Sequence, residues 1–263
     1  MKLTKIIANE INGKKRFQNL FEYFFKTALV GMNYGNGSNF NKSGELYVLK
    51  LLNKNCSDEK AITIFDVGGN VGNYSKILAE VFGSKATIHS FEPSKKTFEI
   101  FLETTKNIQN IIPNNFGLSD TENHQLLFTN KDGSGLASVY MRKLDHLGIS
   151  MDKSEEIKLS TIDNYCKANN INRINFLKLD IEGHELKALI GAKEMIDSKK
   201  VDCIQFEFGG CNIDSRTYFQ DFYSLLKDNY KIYRILKNGL YEIPAYSETL
   251  EIFTTINYLA LKK

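Results

Sequence analysis

From Ala61 onward the chain alternates short β-branched and aromatic runs with segments of helical period. That alternation constrains it most, because strands joined by helical crossovers must lie parallel in one sheet. The first run, residues 62–65, ends in Asp66-Val-Gly-Gly-Asn-Val-Gly72 and a helix follows to about Phe82. The second, 87–91, ends in Glu92-Pro93 and precedes a helix over 95–107. Residues 111–118 are expected as a third strand, and 125–160 reads as short strands and loops, among them 125–128 and 157–160. Residues 174–179 form the fourth core strand and run into Asp180-Ile-Glu-Gly-His-Glu185, after which Leu186, Leu189, Ile190 and Ile196 fit one helix face. A fifth strand, 201–206, ends at Glu207; after a helix over 217–227, residues 232–235 and 258–261 finish the sheet.

Upstream, Phe17, Leu20, Phe21, Phe24, Phe25 and Ala28 recur at the spacing of a one-sided helix. Its apolar face is expected to pack on the main domain. The alternatives are a homodimer contact or a membrane surface, which Lys14, Lys15 and Arg16 would favour. A polar, glycine-rich stretch over 31–40 leads to a helix over 43–53, with Ser43 as its cap and Glu45 in its first turn.

A net charge of +3, from 34 Lys+Arg against 31 Asp+Glu, makes nucleic acid an unlikely partner. No stretch over 1–15 resembles a signal peptide, and no run reaches the ~20 apolar residues of a transmembrane helix. Cys56, Cys166, Cys203 and Cys211 show neither a Cys-x-x-Cys pair nor zinc spacing, so reduced thiols and a cytoplasmic location are expected.

Asp66, Glu92, Asp180 with Glu182, and Glu207 all fall just past the carboxyl ends of expected strands, the edge where open parallel sheets bind ligands. The 66–72 turn is rich in glycine, so a ligand can approach the backbone closely. A dinucleotide fingerprint would need glycine where Asn70 and Asn73 stand. Glu92 lies twenty residues beyond Gly72, placed to accept from both ribose hydroxyls. Together these suggest a nucleoside-bearing ligand without a pyrophosphate.

The runs Phe65-Asp-Val-Gly-Gly-Asn-Val-Gly72, Phe91-Glu-Pro93, Lys178-Leu-Asp-Ile-Glu-Gly-His-Glu185 and Gln205-Phe-Glu207 resemble the FkbM family of S-adenosylmethionine-dependent methyltransferases, over roughly residues 61–210. Gly44-Glu45 also looks like a family feature. The resemblance implies a doubly wound, Rossmann-like α/β class I methyltransferase fold, with seven strands mostly parallel and the last antiparallel. The residue pattern divides the chain into an N-terminal helical extension with a cofactor-side loop over 1–55 and a methyltransferase domain over 56–263, with an acceptor-side insertion expected near 121–160 where the sheet pattern is interrupted. The resemblance further implies S-adenosyl-L-methionine as cofactor and O-methylation of a sugar or glycan-related hydroxyl. Carried residue by residue, the cofactor set is Glu45, Asp66, Gly68, Asn70, Gly72, Tyr74, Glu92, Pro93, Gly117, Leu118, Ser119 and Asp180. The catalytic candidates are Asp180, Glu182, His184 and Glu207; the same four could bind Mg²⁺, which is the less favoured reading.

Three rivals follow from the residues. Tyr223 and Lys227 fit the Tyr-x-x-x-Lys of short-chain dehydrogenases, but the matching glycine pattern is missing. Lys178, Asp180 and Glu207 partly resemble the catalytic charges of RNA ribose 2′-O-methyltransferases. A catalytically silent cofactor-binding module is the third.

Overall fold

The structure is a computed structural model and describes residues 11–36 and 40–263. Its strands are β1 (Ile62–Val67), β2 (Ala86–Phe91), β3 (Ile111–Asn114), β4 (Gly117–Leu118), β5 (Asn123–Thr129), β6 (Lys153–Ser160), β7 (Phe176–Leu179), β8 (Cys203–Phe208), β9 (Tyr230–Leu236), β10 (Gly239–Ile243) and β11 (Ile256–Lys262). The main sheet runs β10-β9-β11-β8-β7-β1-β2-β3. Strands β3, β2, β1, β7 and β8 pair in parallel, and β11 inserts antiparallel between β8 and β9. The doubly wound α/β sheet with an antiparallel last strand is therefore present. An eighth strand, β10, extends it beyond the expected seven. Leu236 pairs with Gly239 across a two-residue turn, Lys237-Asn238.

The expected strand over 111–118 is split. Asn115 leaves the sheet to donate its side-chain amide to the carbonyls of Glu92 and Pro93 at 3.0 and 3.2 Å. The chain then enters a second, three-stranded sheet, β4-β6-β5, built from the segment after β3.

Side-chain alternation loads both faces of the main sheet. Ile62, Ile64, Ile88 and Phe176 pack with Val48, Leu49 and Leu52 of the helix Glu45–Asn55, Leu78 of Asn73–Phe82 and Phe101 of Lys95–Thr105. Phe65, Val67, Leu177, Leu179, Phe206 and Tyr258 pack on the other face with Ile162, Leu189 and Phe222. Ser43 is not the cap of Glu45–Asn55. Gly44 takes that position at φ 92°, where a Cβ would meet the carbonyl oxygen of Leu236 at 2.1 Å. The single helix expected over 186–196 is two, Glu185–Ile190 and Lys193–Asp197. Between them Gly191 lies so close to β4 that a Cβ would stand 1.9 Å from the Ser119 carbonyl oxygen.

The N-terminal helix, Gln18–Gly31, departs from expectation: none of its residues is buried. Leu29 and Met32, at its end, touch the core, but Phe21, Phe24 and Phe25 remain exposed. Part of the 31–40 loop, residues 37–39, and residues 1–10 of the start lie outside the described residues. Among the described residues no helix is long and apolar enough to cross a membrane, and all four cysteines are free thiols.

Phe206 stacks on Phe222 with ring centroids 4.7 Å apart and on Tyr258 at 5.6 Å, with no exposed surface. Phe206→Ala is expected to lower unfolding free energy by about 3–5 kcal/mol in denaturant titration, because the cavity left between the Phe222 and Tyr258 rings cannot close.

Candidate active site

One polar row crosses the apolar sheet. Ser90, Asp66, Lys178 and Gln205 are successive register partners on β2, β1, β7 and β8, all buried. They face the helices Glu45–Asn55 and Asn73–Phe82, which supply their partners. Ser75 donates to Asp66 Oδ2 at 2.6 Å and exchanges a hydrogen bond with Ser90 at 2.8 Å. Gln205 donates to Glu45 Oε1 at 2.9 Å, and Ser43 donates to Glu45 Oε2 at 2.9 Å. Lys178 Nζ lies 3.1 Å from Asp180 Oδ2, 3.7 Å from Asp66 Oδ1 and 4.4 Å from the centre of the Tyr74 ring. Burial opposes its charge, but the carboxylates of Asp180, Asp66 and Glu45 outweigh it and hold the ammonium above its ordinary range.

At the end of β1 the backbone turns through Gly68, at φ 88°, and Asn70, at φ 45°. A Cβ on Gly68 would stand 1.9 Å from the Asp180 carbonyl oxygen, so only glycine lets the turns after β1 and β7 approach. Gly68 and Gly69 N–H both donate to the Phe91 carbonyl. Asn70 N–H donates to Glu92 Oε2 at 3.0 Å and Ser94 N–H to Oε1 at 2.9 Å, which fixes both carboxyl oxygens. Burial nevertheless raises Glu92 to about 7.

Glu92 opens on a cleft of about 750 Å³, walled by Phe91, Pro93, Leu118, Leu127, Ile157 and Leu159 and closed by Ser134, Gly135, Ala137 and Val139. A second cleft, of about 920 Å³, adjoins it and carries Phe40, Glu45, Asn73, Tyr74, Lys178 and Glu207. Gly68, Asn70, Gly135, Asp180 and Glu182 line both. Among the described residues the buried Tyr74 hydroxyl has no hydrogen-bond partner. Burial pushes Glu207 well above the ordinary carboxylate range, and Asp180 and Glu182 push it further.

The turn after β7 is held from within. Glu185 accepts from the N–H groups of Ile181 and Gly183 at 2.9 and 3.0 Å, while Glu182, at φ 52°, is ion-paired with Arg142. Burial raises Glu182 to about 8 despite that arginine.

Of the residues expected to hold a cofactor, Gly68, Asn70, Glu92, Pro93, Gly117, Leu118 and Asp180 meet at the first cleft. Glu45 and Tyr74 line the second instead. Asp66, Gly72 and Ser119 line neither: Asp66 is buried beneath the turn, Gly72 backs onto Phe101 and Thr105, and Ser119 is buried against His184. Of the catalytic candidates, Asp180, Glu182 and Glu207 share the second cleft, whereas His184 faces the first. Its Nε2 is 2.9 Å from Ser119 Oγ and its Nδ1 3.1 Å from the Tyr140 hydroxyl, and burial lowers it to about 4. Glu182, Glu207 and Cys211 bring donor atoms within 4.8 Å of one another, but Arg142 already pairs with Glu182 and His184 is turned away from that group. The Tyr223 hydroxyl donates to the Pro244 carbonyl, outside both clefts. The sequence reading missed Arg142, Gln205 as a partner of Glu45, and the apolar wall from β5 and β6. Only alternation in the short strands pointed to that wall.

The model of the methyltransferase FkbM domain matches residues 66–237, and the chain belongs to that family. Its cofactor is S-adenosyl-L-methionine. The hexuronic acid methyltransferase AglP of Haloferax volcanii is 27% identical over 167 residues, 63% of this chain and 64% of that protein. Methyltransferase 1 of Beauveria bassiana is 25% identical over 49% of this chain and 57% of its own length. The chain thus spans less than two thirds of these relatives. The solved structure of an S-adenosylmethionine-dependent methyltransferase from Agrobacterium tumefaciens aligns with a TM-score of 0.44 at 8% identity, covering 84% of this chain and 62% of that one.

The first cleft fits such a cofactor: its walls are apolar enough for a flat base, and Glu92 holds two oriented oxygens where a ribose diol could donate. Donation requires an ionised Glu92, so affinity for S-adenosylhomocysteine is expected to fall as pH drops through about 7, approaching tenfold per unit below it. Calorimetry on Glu92→Gln should show weaker binding, by about 1–3 kcal/mol at pH 8, with that dependence removed. Lys178→Met should cost about 3–5 kcal/mol of stability in denaturant titration, since it leaves Asp66 buried opposite no cation.

Proposed function

We propose that the protein is a cytoplasmic O-methyltransferase that acts on a hydroxyl of a sugar or glycan-related small molecule, with the second cleft as its acceptor site. The observation that carries this reading is the junction of the two clefts at Gly68, Asn70 and Asp180. An acceptor in the second cleft would meet Asp180 where the first cleft ends. Phe40 and Tyr74 offer apolar faces for a sugar ring, while Asn73, Glu45 and Glu207 offer polar partners for its hydroxyls. The name of the Haloferax volcanii relative supports a sugar acceptor. Four carboxyl groups against Lys178 suit a phosphodiester backbone poorly, which weighs against RNA.

When bound, S-adenosyl-L-methionine supplies a methyl group already activated on a sulfonium. The chain's own task is to align an acceptor oxygen and take its proton. Asp180 is our base: it lines both clefts, and Lys178 orients its Oδ2. Glu207, whose carboxyl burial pushes toward the neutral form, would hydrogen-bond a neighbouring oxygen of the acceptor. Glu182 is fixed by Arg142 and shapes the junction. His184, with both ring nitrogens engaged, positions the turn.

Turnover of labelled S-adenosylmethionine over a panel of neutral sugars, uronic acids, small alcohols and RNA tests the reading. Methylation of a sugar hydroxyl is expected; transfer only to RNA, or none at all, defeats it. Asp180→Asn should lower kcat by about 10² or more while the S-adenosylhomocysteine Kd moves less than about threefold. Activity is expected to survive exhaustive chelation, and a loss restored by Mg²⁺ would make the carboxylates metal ligands instead.

A further inference from the structure

The helix Gln18–Gly31 takes no part in either cleft, yet it carries Leu20, Phe21, Tyr23, Phe24, Phe25 and Val30, each between 38% and 66% exposed. At 100° per residue, Leu20, Phe21, Phe24 and Phe25 fall within an arc of roughly 140°, a one-sided aromatic face. Charge decides what could cover it. Lys15, Arg16 and Lys26 are exposed on or beside the helix against the single acid Glu22, and the Arg16 guanidinium sits 4.7 Å above the Phe17 ring. A second copy laid on this face would bring two cation-rich segments together, whereas an anionic surface gains from Lys15 and Arg16 at the start of the helix, with Lys26 on its far side adding to the net charge. Aromatic side chains beside a basic helix start also match the headgroup boundary of a bilayer, where a ring's apolar body and a cation's long stem are both accommodated.

We propose that this helix lies on the surface of an anionic phospholipid bilayer and holds the second cleft beside it. Phe40, a wall of that cleft, follows Gly31 by nine residues, which can span no more than about 30 Å. Leu29, Met32 and Tyr34 anchor the end of the helix to the core, and the Tyr34 hydroxyl lies 3.3 Å from that of Tyr258. The docked helix therefore moves with the catalytic sheet. Acceptors carried at a membrane surface would be met there, a consequence that rests on the reading of the second cleft given above; the docking itself does not.

The test is co-sedimentation of the full chain with vesicles of phosphatidylcholine alone and of phosphatidylcholine with 30% phosphatidylglycerol. Binding at least tenfold tighter to the anionic vesicles, weakened by salt, is expected. Phe24→Ser with Phe25→Ser should lower it at least tenfold. Lys15→Gln, Arg16→Gln and Lys26→Gln together should remove the preference for anionic lipid. All these variants should keep the S-adenosylhomocysteine Kd and melting temperature, so failure of the enzyme reading and failure of docking are read separately. No preference for anionic vesicles overturns the proposal. So does a concentration-dependent dimer in sedimentation velocity that the Phe24/Phe25 variant dissolves, which would give the face to a second copy. Vesicle binding that arises only after residues 1–10 are deleted would give it to that segment and overturn docking equally.

Discussion

A single buried cation, Lys178, organises the active half of the molecule. An ammonium in the middle of a five-stranded parallel array is tolerable only if anions surround it, and the row supplies them: Asp66 from β1, Asp180 at the end of its own strand, and Glu45 from the helix above. Two of these anions are in turn held by neutral donors, Asp66 by Ser75 and Glu45 by Ser43 and Gln205. The helices Glu45–Asn55 and Asn73–Phe82 are therefore oriented by polar pairing as well as by their apolar faces. A shift of one residue in the register of β1 against β7 would turn Asp66 to the other face and leave Lys178 without it.

The same row explains why the two clefts meet where they do. Lys178 and Asp180 share a strand edge, and Gly68 lets the turn after β1 come within van der Waals reach of the Asp180 backbone. Any side chain at Gly68 would force those turns apart and separate the two clefts. Asn70 completes the junction with a left-handed backbone that presents its N–H to Glu92.

Much of this was legible in the sequence, because parallel strands with acidic ends are a local pattern. Asp66, Glu92, Asp180 and Glu207 could be placed at one edge from strand periodicity alone. What escaped was non-local. Glu45 reaches Gln205 across 160 positions, Arg142 reaches Glu182 across 40, and no spacing rule links either pair. Asp66 and Gly72 were legible as motif residues, but the motif does not distinguish a residue that faces a ligand from one that supports the turn beneath it. The N-terminal helix shows the complementary failure: periodicity identified its apolar face, but among the described residues its own domain does not cover that face.

The insertion between β4 and β7 bears on specificity in a way its position in the chain did not suggest. Expected on the acceptor side, it contributes Ser134, Gly135, Ala137 and Val139 to the cleft that holds Glu92, with Gly135 alone reaching the second. Ser138 donates to the Glu182 carbonyl at 2.8 Å, Tyr140 meets His184, and Arg142 pairs with Glu182 while lying 3.8 Å from Asp214. These contacts tie the strap to the Asp180–Glu185 turn at three successive alternate residues, so it cannot be exchanged without moving Asp180. On the proposed reading, acceptor specificity would therefore be less separable from cofactor binding than a modular insertion would allow. The freer elements are Phe40 and Glu45, which line the second cleft without lining the first.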